Sequence, residues 1–287
     1  MIANMSALRI LGAHDADAFP AYCRFVRAVF PRAGFERWID WGEWDDSYRA
    51  FALFDGERIV ANAALTRMRL LLDGNECRAW QFGAVGVLPE CRGRGYADQV
   101  MAAALAACGD DPVLLFANPK VVQFYPRFGF RAQSEALFGV DFPCAPGTPA
   151  AALDPEQPKT RALIRELACA WPTSLRFAAR GHGRIISWYL ANGFAAAPRQ
   201  VNADTLVFCH VDEDCLHIDA ILARQPFDLA AVIPSLIDRP IRQIRFGFTP
   251  DVCWPDAPTI GTDPDAHLFV RGLQPPSAHK FPCFAQT

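Results

Sequence analysis

The sequence predicts an α/β protein with mixed sheets, made of two units. The first half alternates helical and strand periodicity, and a glycine-rich turn leads from a strand into an alanine-rich helix. Residues 143–158 are rich in proline and alanine, which prevents a long helix and indicates a linker. With 287 residues the chain exceeds the usual size of one domain. We therefore expect a first unit at 1–142 and a second unit at 159–287.

The elements of the first unit follow from the spacing of apolar residues. Residues 16–38 carry apolar side chains at helical spacing that Pro31 interrupts, which predicts two helices. Alternating apolar residues then predict strands, with turns at Asp55-Gly56 and at 73–75. The predicted strands are 47–54, 59–72, one that ends at Val87 and, after the alanine-rich helix, one at 112–116.

The second unit repeats an order of strand, helix and strand in its later part. Its apolar spacing predicts both helices and a β-hairpin. Helices are expected near 159–171, 181–191 and 227–237, and strands near 204–211, 215–223 and 241–247.

Composition excludes several classes of protein. The net charge is −3 and no basic cluster occurs, so nucleic acid is not expected as a partner. No apolar run reaches membrane-spanning length, and Met1–Leu11 lacks the pattern of an export signal. The ten cysteines are scattered without a Cys-x-x-Cys pair, which indicates mostly buried thiols. We therefore expect a soluble, cytoplasmic protein without a membrane partner.

Only one cluster in the sequence merits a test as a metal site. Cys209, His210, Cys215 and His217 flank an acidic turn, but neighbouring residues on a strand project to opposite faces. One face supplies at most three ligands, enough for a catalytic zinc. A half-buried hairpin with a solvated turn is the favoured interpretation, and no metal is expected.

Residues 85–97 have the pattern of a phosphate-binding turn. Free backbone N–H groups at a helix N-terminus attract anions, and Gly93 and Gly95 allow a diphosphate to approach the main chain. A Gly-Lys-Ser or Gly-Lys-Thr sequence is missing, and Asp98 stands where a dinucleotide fingerprint has its third glycine. An ordinary strand-to-helix connection is the alternative, since it also uses glycines for backbone geometry.

A second motif follows the strand at 112–116. It runs from Asn118 to Phe130 and contains Tyr125, a spacer and Gly129-Phe130. Together with Arg92, Gly95 and Ala97, which satisfy the pattern Gln or Arg, any two, Gly, any, Gly or Ala, this order resembles the GNAT superfamily of acetyl-CoA-dependent N-acyltransferases. The resemblance implies the GNAT fold, with the segment 118–130 carrying the family's fourth helix. The second half has no second phosphate turn, which suggests a degenerate GNAT-like domain in tandem.

The resemblance also implies the site residues. Acetyl-CoA is expected as the cosubstrate, and the main chain of the strand before the turn would hold its pantetheine and carbonyl. Tyr125 matches the position whose hydroxyl protonates the coenzyme A thiolate, although an aromatic residue there also fits core packing. The residues expected to bind the cosubstrate are Val85, Val87, Arg92, Gly93, Arg94, Gly95, Tyr96, Ala97 and Asn118.

The general base is not assigned by the sequence. Gln81 stands inside the strand where family members often have a glutamate; it cannot take a proton but can order a water. Glu76 lies at the start of that strand. By the resemblance, four further carboxylates border the acceptor site: Asp40, Glu43, Asp45 and Asp46.

Three tryptophans, Trp38, Trp41 and Trp44, are interleaved with these carboxylates. One interpretation is an aromatic, acidic wall that attracts a cationic amine. The other, which we favour for the tryptophans, is a core stripe with a solvated acidic face.

The expected function is transfer of an acetyl group from acetyl-CoA to a primary amine of a small molecule or peptide by direct attack. Two alternatives stay open: a non-catalytic sensor that binds acyl-CoA, and a transferase for a longer acyl group. The chain is expected to act as a monomer or a homodimer.

Overall fold

The computed structural model describes residues 6–287. The first five residues of Met1–Leu11, the segment used to assess an export signal, lie outside this range. The strands are β1 (Ala7–Leu11), β2 (Tyr48–Asp55), β3 (Arg58–Leu72), β4 (Asn75–Val87), β5 (Val113–Phe116), β6 (Arg131–Gln133), β7 (Ala136–Cys144), β8 (Ala151–Ala152), β9 (Phe177–Arg180), β10 (Arg199–Asn202), β11 (Thr205–Asp212), β12 (Cys215–Ala223), β13 (Ile241–Phe246), β14 (Thr259–Thr262) and β15 (Leu268–Arg271). The α-helices are α1 (Phe19–Val29), α2 (Glu36–Asp40), α3 (Tyr96–Cys108), α4 (Pro158–Ala170), α5 (Gly183–Ala191) and α6 (Leu229–Leu236).

The strands form two mixed sheets. The first has the order β1-β2-β3-β4-β5-β15-β6, with β9 paired to β3, and the second has the order β14-β7-β13-β12-β11-β10-β8. Parallel pairs join β4 to β5 and β12 to β13, and every other pair is antiparallel. This is the mixed α/β class that the sequence predicts.

The two sheets exchange strands. Strand β7 of the first half lies in the second sheet between β13 and β14, and β15 of the second half lies in the first sheet between β5 and β6. Strand β7 crosses the boundary predicted at residue 142, and α4 begins at the boundary predicted at 158. The division into 1–142, 143–158 and 159–287 stays a prediction.

The segment 118–130 forms two short 3-10 helices instead of the expected α-helix. They span Pro119–Val121 and Tyr125–Phe128. Proline has no N–H to donate and disfavours helical geometry in the residue before it. Pro119 and Pro126 therefore divide the segment into single turns.

The hairpin with the cysteine and histidine cluster forms as expected, between β11 and β12. His210 and His217 are paired across it, their rings stack at 4.8 Å between centroids, and Nδ1 of His210 lies 3.0 Å from Oδ2 of Asp219. Cys209 is buried on the other face. Across residues 6–287, no group of three or more His, Cys, Asp or Glu side chains has an arrangement suited to a metal ion.

The cysteines are free thiols throughout. Four are buried, Cys169 is exposed and the others are half-buried, so the expectation of mostly buried thiols is only partly met. None of the helices in the described part of the chain combines the length and the apolar character needed to cross a membrane.

Glu135 lies where the chain passes from β6 in the first sheet to β7 in the second. It is 2% exposed, and its Oε1 accepts a hydrogen bond from the backbone N–H of Phe281. Burial raises the pKa of its carboxyl to about 7, partly opposed by that hydrogen bond. The protonated form is therefore favoured by folding.

We expect Glu135→Gln to flatten the pH dependence of stability. The folded state holds the Glu135 proton up to about pH 7, whereas the unfolded chain releases it near its ordinary pKa. Between these values the folded state binds more protons, so the free energy of unfolding falls as pH rises, by at most about 3 kcal/mol from this group. Urea unfolding at pH 5 and pH 8 measures the change. The exposed Glu57→Gln is the control; equal pH dependence in both variants would contradict the assignment.

Candidate functional site

Strands β4 and β5 separate in the middle of the first sheet. Their parallel pairing runs from Trp80 opposite Val113 to Phe82 opposite Leu115 and then ends, while β4 continues to Val87. We call the side of Gly83–Val87 that faces the end of β5 the strand gap. Within residues 6–287 no strand pairs with this side, so backbone groups there are available to a ligand.

A bulge in β4 shapes the strand gap. The pairing of β3 with β4 shifts between Asn62 and Ala64, which lie opposite Gly86 and Gly83. Ala84 has a φ of +46°, in the left-handed region that alanine rarely adopts, and its carbonyl accepts a hydrogen bond from Nδ2 of Asn62 at 2.9 Å. Backbone strain of this kind is concentrated at functional sites.

A cavity of about 840 Å³ opens at the strand gap. Its walls come from both halves of the chain. Residues of the first half include Phe30, Phe35, Trp38, Gly83, Ala84, Val85, Phe116, Asn118 and Tyr125, and those of the second half include Arg180, His182, Arg184, Trp188 and Thr287. A bound molecule at the gap would therefore touch both halves.

Tyr125 borders this cavity from the 3-10 turn after β5. The side chain is 6% exposed and packs edge-on against Phe124 and Phe130. Burial raises the pKa of its hydroxyl to about 12, so the phenol is protonated at neutral pH. Within residues 6–287 its hydroxyl has no hydrogen-bond partner, so Tyr125 combines core packing with a free proton donor.

The glycine-rich turn lies beyond Val87 and outside the cavity. Gly93 and Gly95 have φ values of +76° and +75°, and a Cβ added at either position would meet no atom within 4 Å. Gly95 is the N-cap of α3. Arg92 and Arg94 are exposed, and their guanidinium groups approach only backbone carbonyls, at 3.4 Å and 3.5 Å. The turn therefore has the open backbone and the charge that a diphosphate requires.

The other predicted binding residues have mixed positions. Val85 and Asn118 border the cavity, although the Asn118 side chain also caps a 3-10 turn by accepting a hydrogen bond from the N–H of Lys120. Val87, Tyr96 and Ala97 do not line it, and Tyr96 packs against the hydrophobic core formed mostly by residues of the first half. Their role in binding stays a prediction.

Gln81 is not available to order a water, contrary to the sequence-based expectation. It is fully buried, its Nε2 donates to the carbonyl of Ala285 at 2.8 Å, and its Oε1 accepts from the N–H of Thr287 at 2.7 Å. Thr287 in turn packs against Gly83, where a Cβ would lie 3.0 Å from its Oγ1. The amide of Gln81 therefore positions residues 285–287 beside the strand gap.

Among the carboxylates named as candidate bases, only Asp45 and Glu76 border the cavity. Asp45 lies 2.7 Å from Nε of Arg184, and Glu76 is paired with Arg69. Asp40 and Asp46 are exposed outside the cavity.

Sequence reasoning missed His182, which borders the cavity at the start of α5. It is 5% exposed, and burial lowers the pKa of its imidazole to about 4, so the ring is neutral at neutral pH. The strand before it, β9, was not predicted, because four residues carry too little periodicity.

Glu43 is a buried ionic link between the two halves. It is fully buried and contacts Arg165, Arg184 at 3.1 Å and Arg161 at 3.9 Å. Burial raises the pKa of its carboxyl, and the three guanidinium groups oppose that effect. The carboxylate of Glu43 therefore pairs with arginines inside the protein and is not part of an acidic wall.

We expect Glu43→Gln to lower the free energy of unfolding by roughly 3 kcal/mol, because it leaves buried cationic charge without its counterion. Part of that cost is reduced by solvent, since Arg165 and Arg184 are 36% and 31% exposed. Urea unfolding measures the change. Glu166→Gln, which removes an exposed ion pair with Arg224, should cost less than about 1 kcal/mol; similar losses in both variants would refute the role of Glu43.

The tryptophans divide between the two interpretations. Trp38 and Trp44 are 4% and 6% exposed and pack among aromatic rings, as core residues do. Trp38 also borders the cavity. Trp41 is only half-buried, and the guanidinium group of Arg161 lies 4.5 Å from its ring centroid.

Part of the first half is similar to a known family of domains. Residues 13–132 match the family model described as an acetyltransferase (GNAT) domain. No curated protein matches the chain. Similar solved structures include a conserved protein of unknown function from Enterococcus faecalis V583 (12% identity, TM-score 0.57, covering 93% of this chain and 72% of that one). Two others are GCN5-related N-acetyltransferases. The one from Kribbella flavida has 18% identity and a TM-score of 0.55, and the match covers 93% of this chain and 71% of that one. The one from Anabaena variabilis has 13% identity and a TM-score of 0.53, and the match covers 92% of this chain and 72% of that one. At these identities the similarity shows the fold, and the predicted fold class is confirmed.

Proposed function

We infer that this chain, whose residues 13–132 match the model of the acetyltransferase (GNAT) domain, transfers an acetyl group from acetyl-CoA to a primary amine of a small molecule or peptide. The observation that carries the proposal is the strand gap: free backbone of β4, bulged at Ala84, faces a cavity that also contains the protonated hydroxyl of Tyr125. Thioester aminolysis needs donors for an oxyanion and a proton for the leaving thiolate.

We place the diphosphate of acetyl-CoA on the turn from Arg92 to Ala97. The left-handed glycines leave open space there, and the N-terminus of α3 supplies free N–H groups. The pantetheine would then run along the strand gap past Val87 and Val85 toward Asn118. This path is supported by the free backbone of β4.

In the proposed reaction, the neutral amine attacks the carbonyl carbon of the thioester and a C–N bond forms. Backbone N–H groups in the strand gap stabilise the oxyanion of the tetrahedral intermediate. The C–S bond then breaks, and Tyr125 transfers its phenolic proton to the departing sulfur. The phenolate recovers a proton from the new amide nitrogen through cavity water, so the net change is transfer of acetyl to nitrogen and of one proton to sulfur.

We propose that the second unit at 159–287 is a degenerate GNAT-like domain that forms one wall of the acceptor site. Support comes from Arg180, His182, Arg184 and Trp188, which border the cavity. We further place the protein in the cytoplasm, since its ten free thiols suit a reducing compartment. A monomer or homodimer is proposed.

Calorimetric titration with acetyl-CoA, beside NAD and ATP, tests cosubstrate binding. We expect selective binding of acetyl-CoA, followed by release of free coenzyme A and an acetylated product when amines are added. Failure to bind acetyl-CoA would overturn the proposal. Binding without turnover across a broad panel of amines and peptides would favour the sensor.

The same assay with acyl-CoA thioesters of increasing chain length tests the acyl group. The apolar wall of Val26, Phe30 and Phe35 gives room for a longer chain. A higher kcat/KM with a longer thioester than with acetyl-CoA would mean that the transferred group is an acyl chain longer than acetyl.

A further inference from the structure

Three arginines stand side by side on adjacent strands of the first sheet. Arg69 of β3 lies directly opposite Arg78 of β4 on one side and opposite Arg180 of β9 on the other. Directly opposed residues share a face of the sheet, as do residues two apart on one strand, so Arg67 belongs to the same face. We call these four residues the arginine row. Like charges in opposed positions destabilise a sheet, so the row has a cost for folding.

The neighbouring carboxylates balance only half of this charge. Glu76 accepts hydrogen bonds from Nε and Nη2 of Arg69 at 2.6 Å and 3.0 Å, and also lies 3.6 Å from Nη1 of Arg180. Asp111 accepts two from Arg78 at 2.6 Å and 3.2 Å.

The other two guanidinium groups retain donor capacity. Among the described residues, Arg67 has no ion-pair or hydrogen-bond partner for its guanidinium group. The buried Nε of Arg180 also has no hydrogen-bond partner there, while its Nη2 donates to the carbonyl of Ala170 at 3.1 Å. The arginine row therefore carries surplus positive charge and unused N–H donors.

The arginine row borders the same cavity as the strand gap. Arg180 lies at the level of Arg78 and Arg67 lies opposite Trp80. Arg78 and Trp80 are five and three residues from Gly83 on β4, which corresponds to about 17 Å and about 10 Å along an extended strand. The cavity therefore joins a reaction centre at one end to a cationic surface at the other. The acidic wall considered from the sequence is not formed here, because Glu43 and Asp45 are both paired with arginines.

We propose that the acceptor is an extended amine whose far end carries an oxyanion, a carboxylate or a phosphate, bound by Arg67 and Arg180. This rests on the proposed function, since it takes the amine to react at the strand gap. Guanidinium groups present paired N–H donors that match both oxyanions. A peptide of three to five residues with a free C-terminal carboxylate has the required length, because an extended chain spans about 3.4 Å per residue.

Acceptor kinetics with glycine peptides of one to six residues test the proposal, each peptide as the free acid and as the C-terminal amide. We expect the free acid to exceed the amide at least tenfold in kcat/KM at three to five residues, and the preference to fall with added salt. Aminoalkyl phosphates compared with the matching alcohols distinguish phosphate from carboxylate as the preferred oxyanion.

Arg67→Glu should abolish the preference for the free acid without weakening acetyl-CoA binding. The matched control is Arg242→Glu, which reverses the charge of an 81% exposed arginine outside this cavity. Calorimetry with tetraglycine and its amide, without acetyl-CoA, gives a readout that is independent of turnover; wild type should bind the free acid more tightly.

The outcomes separate the two proposals. If acetyl-CoA does not bind or no amine is acetylated, the proposed function fails. If amines are acetylated but neither free acids nor phosphates are preferred over their neutral partners, the inference about the arginine row is wrong while the proposed function stands. An unchanged preference in Arg67→Glu would also overturn it.

Discussion

Gly95→Glu should bind acetyl-CoA at least about 100-fold more weakly than the wild-type chain, a loss of roughly 2.7 kcal/mol. Gly95 is the N-cap of α3 with open space around it, so a glutamate side chain would occupy the position proposed for the diphosphate. Its negative charge would also repel the phosphates in that position. Calorimetric titration of wild type and variant measures the change.

A matched variant separates this effect from backbone strain. Gly95 has a φ of +75°, which asparagine tolerates better than most residues. Gly95→Asn should therefore retain most of the affinity, because it adds a short neutral side chain. A negative charge at a helix N-terminus favours the helix, so Gly95→Glu is not expected to unfold α3. Equal affinity in wild type and Gly95→Glu would place the diphosphate elsewhere.

Tyr125→Phe should reduce kcat about 100-fold, the usual scale for loss of a positioned proton donor. The dissociation constant of acetyl-CoA should change little, because the ring still fills its place against Phe124 and Phe130. The rate at which free coenzyme A is released with a good acceptor measures kcat. Single-turnover measurements then separate the chemical step from binding.

The pH profile adds a second readout for Tyr125. Since burial raises the pKa of its hydroxyl to about 12, the acid form persists across the neutral and mildly alkaline range. Wild-type kcat should therefore show no fall from Tyr125 ionisation between pH 7 and pH 10. Tyr189→Phe, which removes a phenol outside the cavity, is the control and should keep its kcat. An unaltered kcat in Tyr125→Phe would remove this residue from the proposed mechanism.

Local patterns in the sequence predicted several of the longer elements closely. The hairpin expected near 204–211 and 215–223 forms at Thr205–Asp212 and Cys215–Ala223, and the helix expected near 159–171 forms at Pro158–Ala170. The glycine-rich turn is equally local, because its left-handed glycines and the helix after it lie within one short segment. These features depend on residues only a few positions apart, so hydrophobic period and turn chemistry are enough to predict them.

Long-range contacts produced what the sequence did not predict. Short strands such as β9 and β15 carry too few residues for a period, and they take their places only by pairing with β3, β5 and β6. The burial of Gln81 against residues 285–287 depends on groups about two hundred positions away. The contacts of Glu43 with Arg165 of α4 and Arg184 of α5 span 122 and 141 positions.

The sequence by itself determined the order of the longer elements, the glycine-rich turn and the family that they resemble. The tertiary structure alone decided the strand exchange, the cavity shared by both halves and the arginine row beside it. The physical reason is that periodicity and turn chemistry act between neighbours in the chain. Pairing register and burial instead depend on which distant segments come into contact, and a single sequence does not show directly which segments these are.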